Sequence, residues 1–227
     1  MASLRRRIVG NRLGSVGAEL RRLEKMRNQS TGVMTPSRDR IREAAKTLFA
    51  ERGYERTPTA AICRLAGTSE SQLIKHFENK QGVLEAIFQY GWEQVNPALR
   101  LAIESIPSPR QKFQMLIEMV LNFLERDVQL RKLFLLEGRR IRDDGKQVVL
   151  VPGFLEFVKI IDGILQELAH QGELEVHPQA LRSALMGAIE GLLRDKILAS
   201  SMDYPATFSN ADIRSLCFTF LSASLSR

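Results

Sequence analysis

Apolar side chains recur at helical spacing along almost the whole chain. Ile41, Ala44, Ala45, Leu48 and Phe49 fall at i, i+3, i+4, i+7 and i+8, one apolar face of a helix predicted from about Ser37 to Arg52 and closed by Gly53. Thr57-Pro58 predicts the start of a second, short helix, with Thr57 as N-cap and Pro58 in its first turn, ending at Gly67. Ser69 is expected to cap a third, which turns Leu73 and Phe77 inward with Ile74 at the edge of that face, and Asn79 a long fourth through Val83, Leu84, Ile87 and Phe88. Three short helices thus precede a long one. The turn of three or four residues at Gly67, between the second and third, is the helix-turn-helix signature.

Longer segments follow. Pro97 is expected to end or kink the fourth helix, because it lacks a backbone donor. Ser108-Pro109 opens a helix with Phe113, Leu116, Ile117, Val120, Leu121 and Leu124 inward, and residues 129–142 read as helical up to a break at Asp143-Asp144-Gly145. Val148 to Val151 has no partner strand in view and reads as a loop or helix entry. Helices are predicted from Gly153 to about His170, over 178–200 and over 210–225. The fold class is all-α: an N-terminal three-helix head at 36–82 and a C-terminal helical domain at 83–227, preceded by a basic extension at 1–35.

Charge changes this picture less than the total of +7 suggests. Residues 1–35 hold eight Lys/Arg against two Glu, whereas 36–90 hold nine against seven and 91–227 sixteen against seventeen. The basic character belongs mainly to the extension and is weak evidence for nucleic acid by itself. In that extension Val9, Leu13, Val16, Leu20 and Leu23 form a helix face interrupted by glycines. It suits an arm on phosphates, a membrane-surface segment, or residues upstream of a later start at Met26 or Met34. A hydrophobic fraction of 44% and charged fraction of 26% exclude general disorder. No apolar run approaches the ~18 residues of a spanning helix. Cys63 and Cys217 stand far apart, fit no metal or redox spacing and read as buried thiols of a reducing cytoplasm. His76, His170 and His177 share no ligand spacing, and no nucleophile–base pair or phosphate loop is seen. No cofactor, metal or catalytic activity is expected.

The run RIREAAKTLFAERGYERTPTAAICRLAGTSESQLIKHFENKQGVLEAIF resembles the DNA-binding domain of the tetracycline-repressor (TetR) family of bacterial transcription regulators. The likeness covers roughly residues 38–90 without a gap, anchored on Ala44-Ala45, Leu48-Phe49, Gly53-Tyr54, Thr57, Ile62, Ala66-Gly67, Ser69, Leu73, Phe77 and Lys80. GAIEGLL at 187–193 is similar to the penultimate helix of such proteins. The resemblance implies that the third helix enters the major groove. Its candidate DNA-binding residues are Thr57, Pro58, Ser69, Glu70, Ser71, Gln72, Lys75, His76 and Lys80. Gln72 suits adenine and Glu70 a cytosine amino group. Two departures stand out: Glu70 where the family usually has a basic residue nearby, and Ile74 and His76 where it has tyrosines; Ile74 is expected to contact a thymine methyl or sugar, or simply to pack. Ser69 with Gln72 also fits a capping box, which would tie Gln72 back to the backbone.

The resemblance further implies a small-molecule pocket, for which Phe113, Met115, Met119, Phe123, Phe134, Phe154 and Phe157 are the apolar candidates. Gly163 and Gly187 suggest close helix approach or effector clearance. The last two helices offer more apolar surface than one protomer needs, so a homodimer through Leu185, Ile189, Leu192, Ile213, Leu216 and Phe220 is expected. Its two heads would lie ~34 Å apart on a pseudo-palindromic operator. The function expected is a cytoplasmic, nucleoid-associated repressor released by a hydrophobic or amphipathic effector. The alternatives are a ligand-independent architectural or division factor on the same fold, and a membrane-directed protein with a vestigial head.

Overall fold

The computed structural model describes residues 36–138, 140, 150–201 and 204–225. The extension at 1–35, the Asp143-Asp144-Gly145 break and Val148-Val149 lie outside them. Nine helices are described: α1 Ser37–Arg52, α2 Thr59–Ala66, α3 Glu70–Phe77, α4 Lys80–Glu104, α5 Pro109–Arg126, α6 Val128–Glu137, α7 Pro152–His170, α8 Pro178–Ser201 and α9 Asn210–Ala223. Among the described residues the β structure amounts to one isolated bridge, Leu174 to Leu225.

Local chemistry sets most boundaries. Gly53 (φ 84°), Gly67 (φ 61°) and Gly172 (φ 70°) adopt the left-handed conformation after α1, α2 and α7. The side chains of Asn79, Ser108 and Asp127 each accept a bond from an amide in the first turn of α4, α5 and α6. Ser209 and Asp212 form a reciprocal capping box on α9, and the Ser209 donors hold the Asp212 carboxyl below the usual carboxylate range.

The structure corrects the cap of the second helix and, of the two outcomes expected at Pro97, rules out the helix ending there. The cap of α2 is Pro58, in extended conformation (φ −75°, ψ 152°), and the helix begins at Thr59. α4 runs through Pro97 to Glu104, because Pro97 and Glu93, whose carbonyl loses its partner, both face solvent. A carbonyl on the solvent side is open to hydration in place of the lost bond, which lowers the cost of continuing the helix there.

From Ser37 onward the chain packs as one unit. The core is continuous from Ile41 and Phe49 in α1 through Phe88 and Leu99 in α4 to Phe113, Leu165 and Leu168 in α5 and α7. The head boundary expected at 82/83 falls inside α4, an unbroken helix. Arg42, buried in α1, stacks over the Tyr90 ring of α4 at 3.6 Å and pairs with Asp39 at 2.7 Å, which ties the first helix to the fourth. Cys63 and Cys217 are free and buried, and burial pushes the Cys217 thiol up to about 11.

Candidate nucleic-acid interface and apolar cavity

α3 is an eight-residue helix that would be marginal alone. Leu73 and Phe77 bury it against the head, and the turns on either side are clamped by side chains. Arg40 of α1 donates from Nε to the Ala66 carbonyl at 3.0 Å and from Nη2 to Gly67 at 3.5 Å, holding the α2–α3 turn. His76 Nε2 meets the Ser37 hydroxyl at 2.8 Å, joining the end of α3 to the start of α1. Arg38 lies 5.5 Å over the Phe77 ring. At the exit, Glu78 takes φ 66°, unusual for a residue with a side chain. Asn79 Oδ1 then accepts from the Gly82 amide at 2.9 Å.

The candidate DNA residues divide accordingly. Glu70, Ser71 and Lys75 are exposed on α3, while Gln72 and His76 are half-buried. Ser69 caps α3 by backbone conformation, with no side-chain cap bond; its Oγ meets that of Ser71 at 2.8 Å. The expected capping box is therefore absent. Glu70 accepts from the Thr59 hydroxyl of α2 at 3.1 Å. Burial, then the Glu70 charge, raises the Cys63 thiol above its ordinary range.

Thr57 is a correction: its side chain is 0% exposed and donates to the Gly53 carbonyl at 2.8 Å. Its hydroxyl fastens the α1–α2 turn, and Pro58 beside it is exposed. Lys80 is half-buried, donating to the Tyr54 carbonyl at 3.1 Å with its ammonium 4.3 Å over the Tyr54 ring. Ile74, for which the sequence leaves both inward packing and an outward contact open, is 59% exposed.

Beyond the head, α4 to α8 enclose an apolar cavity of about 100 Å³. Its aromatic wall is Trp92, stacked on Phe157 at 4.6 Å and tilted against Phe134 and Phe154 at 5.3 and 5.6 Å. Of the expected lining residues, Phe113, Phe134, Phe154 and Phe157 are there; Met115, Met119 and Phe123 are not. At about 100° per residue these three fall some 200–280° round α5 from Phe113, outside the arc of Phe113, Leu116, Ile117, Val120 and Leu124 that lines the cavity. Sequence reasoning missed Trp92, Leu185, Ile189 and the two charged wall residues, Arg182 and Glu190. Arg182 is ion-paired with Asp162 of α7. No local pattern marks these residues; only the convergence of helices does.

The dimer candidates are also redistributed. Leu185 and Ile189 line the cavity and Ile213 is buried in the protomer, so these three serve its own core. Leu216 and Phe220 remain exposed at 37% and 40%, and Leu192 is half-buried. Around Gly163 and Gly187 a notional Cβ meets nothing within 4 Å, so neither marks a close approach within the protomer.

Head and cavity are joined by α6. Asp127 caps it and also accepts from Lys46 of α1 at 3.1 Å. Burial alone would lower the Lys46 pKa, but the Asp127 hydrogen bond and the Glu43 and Asp127 charges outweigh it and raise the value above the ordinary one. Lys132 donates to the Ala50 carbonyl at the end of α1 at 2.6 Å, while Phe134 and Leu135 face the cavity.

Comparison with known proteins agrees with this geometry. The model for bacterial regulatory proteins of the tetR family matches residues 41–87, from α1 into α4. The nucleoid occlusion factor SlmA of Vibrio campbellii is 24% identical over 181 residues, 76% of this chain and 89% of that protein. The structure of FadR from Bacillus subtilis with stearoyl-CoA superposes with a TM-score of 0.71 at 19% identity, over 83% of this chain and 99% of that one. SmeT, the repressor of a Stenotrophomonas maltophilia multidrug efflux pump, gives 0.65 at 22%, over 87% and 92%. The helix-turn-helix segment at residues 41–87 is thus a tetR-family DNA-binding domain, and the helices behind it share the fold of these solved regulators.

Proposed function

We propose that this chain is a cytoplasmic, nucleoid-associated, non-enzymatic repressor that binds a pseudo-palindromic operator as a homodimer and leaves it when a small apolar or amphipathic effector enters the cavity. The observation that carries the reading is α6, which touches the cavity through Phe134 and the head through Lys132 and Asp127. A cavity of about 100 Å³ is well below the roughly 300–1,000 Å³ of a drug-sized site. An effector must therefore spread the walls, and displacing Phe134 moves the contacts that hold the end of α1. Only a difference in effector affinity between the two head positions is needed. The stearoyl-CoA of the FadR structure favours an effector with a long apolar part.

The test is selection of sheared genomic DNA by the purified protein at near-physiological salt, with sequencing of what is retained. A few sites sharing an inverted repeat, half-sites about 10 base pairs apart, are expected. Recovery of no shared sequence sinks the reading.

The exposed Leu216 and Phe220 support a dimer through α8 and α9, the half-buried Leu192 beside them. Phe220→Asp is expected to weaken dimerisation at least tenfold, since each protomer would bury a carboxylate in place of a ring. Sedimentation over a concentration series reads it, and an unchanged dimer moves the interface elsewhere.

The small cavity also favours a second reading, in which the protein responds to no effector and is a ligand-independent architectural or division factor; its SlmA relatives carry the name nucleoid occlusion factor. Retained sites scattered round the chromosome rather than at promoters, with operator affinity indifferent to saturating fatty acyl thioesters, would select it.

A further inference from the structure

Ile74 is the anomaly of the reading helix. It follows Glu70 by one turn and Ser71 by three residues, so the three share one stripe of α3. Among the described residues of the head, the exposed large apolar side chains are Leu65 on α2 and Ile74 on α3. The polar members of the stripe have intramolecular partners: Glu70 accepts from the Thr59 hydroxyl, and the Ser71 and Ser69 hydroxyls bond to each other. Ile74 is 59% exposed and β-branched, a modest helix former in a helix too short to spare propensity. Within the protomer its apolar surface contributes little, so its value lies in what covers it.

The stripe identifies the cover. Ile74 stands next along the stripe from groups suited to base edges, with exposed Lys75 beside it. The major groove is otherwise lined by hydrogen-bonding groups, and its apolar feature is the C5-methyl of thymine. We infer that Ile74 packs on a thymine methyl in each half-site, so that this protein selects thymine there by apolar contact and not by hydrogen bonding. Glu70, held by Thr59, is then aimed at the neighbouring base pair along the same stripe. This inference rests on the DNA-binding reading of the head.

The experiment uses the full chain and a duplex recovered by the genomic selection, with each thymine of both half-sites replaced in turn by deoxyuridine, which removes only the methyl. At one symmetric position the replacement is expected to weaken wild-type binding about fourfold per half-site, the worth of one buried methyl. Ile74→Ala is expected to bind the thymine and deoxyuridine duplexes equally, with an unchanged salt dependence because no phosphate contact is lost. The surface substitution leaves folding intact, since alanine is the better helix former.

Three results overturn the inference while leaving the DNA-binding reading in place: half-sites without thymine, wild-type binding indifferent to every replacement, or the same deoxyuridine penalty in Ile74→Ala. Recovery of no shared sequence overturns both.

Discussion

Gly82→Ala is expected to destabilise the protein by about 1–3 kcal/mol and to lower its affinity for its selected duplex by at least tenfold. A Cβ at Gly82 would lie 2.0 Å from the Phe77 carbonyl oxygen and 3.1 Å from its carbon, both backbone atoms of the last residue of α3. No rotamer change relieves a clash with backbone, so either the end of the reading helix or the start of α4 must move. Phe77 is the residue that seats α3 on the head, and His76 beside it holds the Ser37 hydroxyl. Movement there is paid in the aim of the outward stripe as well as in stability. Gly163→Ala is the control: a Cβ there meets nothing within 4 Å, and the better helix propensity of alanine should be neutral or stabilising. Urea titration and a duplex-binding isotherm read the two effects. If Gly82→Ala binds like the wild type, the α3–α4 turn yields more easily than its packing implies.

Phe88→Ala is expected to cost about 3–5 kcal/mol, a large share of the ordinary stability of a domain. Phe88 is fully buried in α4 and stacks on Phe134 of α6 at 4.6 Å, with the ring planes 12° apart. Phe134 in turn touches Trp92 and lines the cavity. Removing the Phe88 ring therefore leaves a void where head, α6 and cavity wall meet. The loss appears as a lower urea midpoint at unchanged slope. A cost below about 1 kcal/mol would mean that α6 collapses into the space, and that the contact between cavity and head is softer than the stacked rings suggest.

Much of this architecture is legible in the sequence because it follows from rules acting over a few residues. The left-handed turns after α1, α2 and α7 sit at Gly53, Gly67 and Gly172, each just past an apolar period, and glycine carries no Cβ penalty there. Asn79 and Ser108 stand where the first amides of α4 and α5 need an acceptor, and their side chains supply it. Leu73 and Phe77 pack α3 inward as their spacing requires, and the exposed positions Glu70, Ser71 and Lys75 follow from it. These features settle the all-α class and the place of the head.

Contacts between residues far apart in the chain decided the rest. Periodicity identifies an apolar arc on α8 but not what covers each part of it; where α8 packs on its neighbours and lines the cavity, Leu185 and Ile189 are buried, and Leu192 is only half-covered. Ile74 sits at the edge of the α3 arc, where the spacing permits burial and the packing denies it. The Thr57 hydroxyl finds the Gly53 carbonyl across a turn, not an amide of the helix it precedes, because extended Pro58 takes the cap position. Met115, Met119 and Phe123 are apolar like their neighbours but fall outside the arc of α5 that lines the cavity, and Trp92, from a different helix, forms the wall instead. Helical class and the position of the reading head are thus properties of local sequence, since caps, left-handed turns and the 3.6-residue repeat act within a few residues. The cavity, its link through α6 and the outward aim of Ile74 belong to the tertiary structure, since only the meeting of distant helices determines which apolar surface is covered.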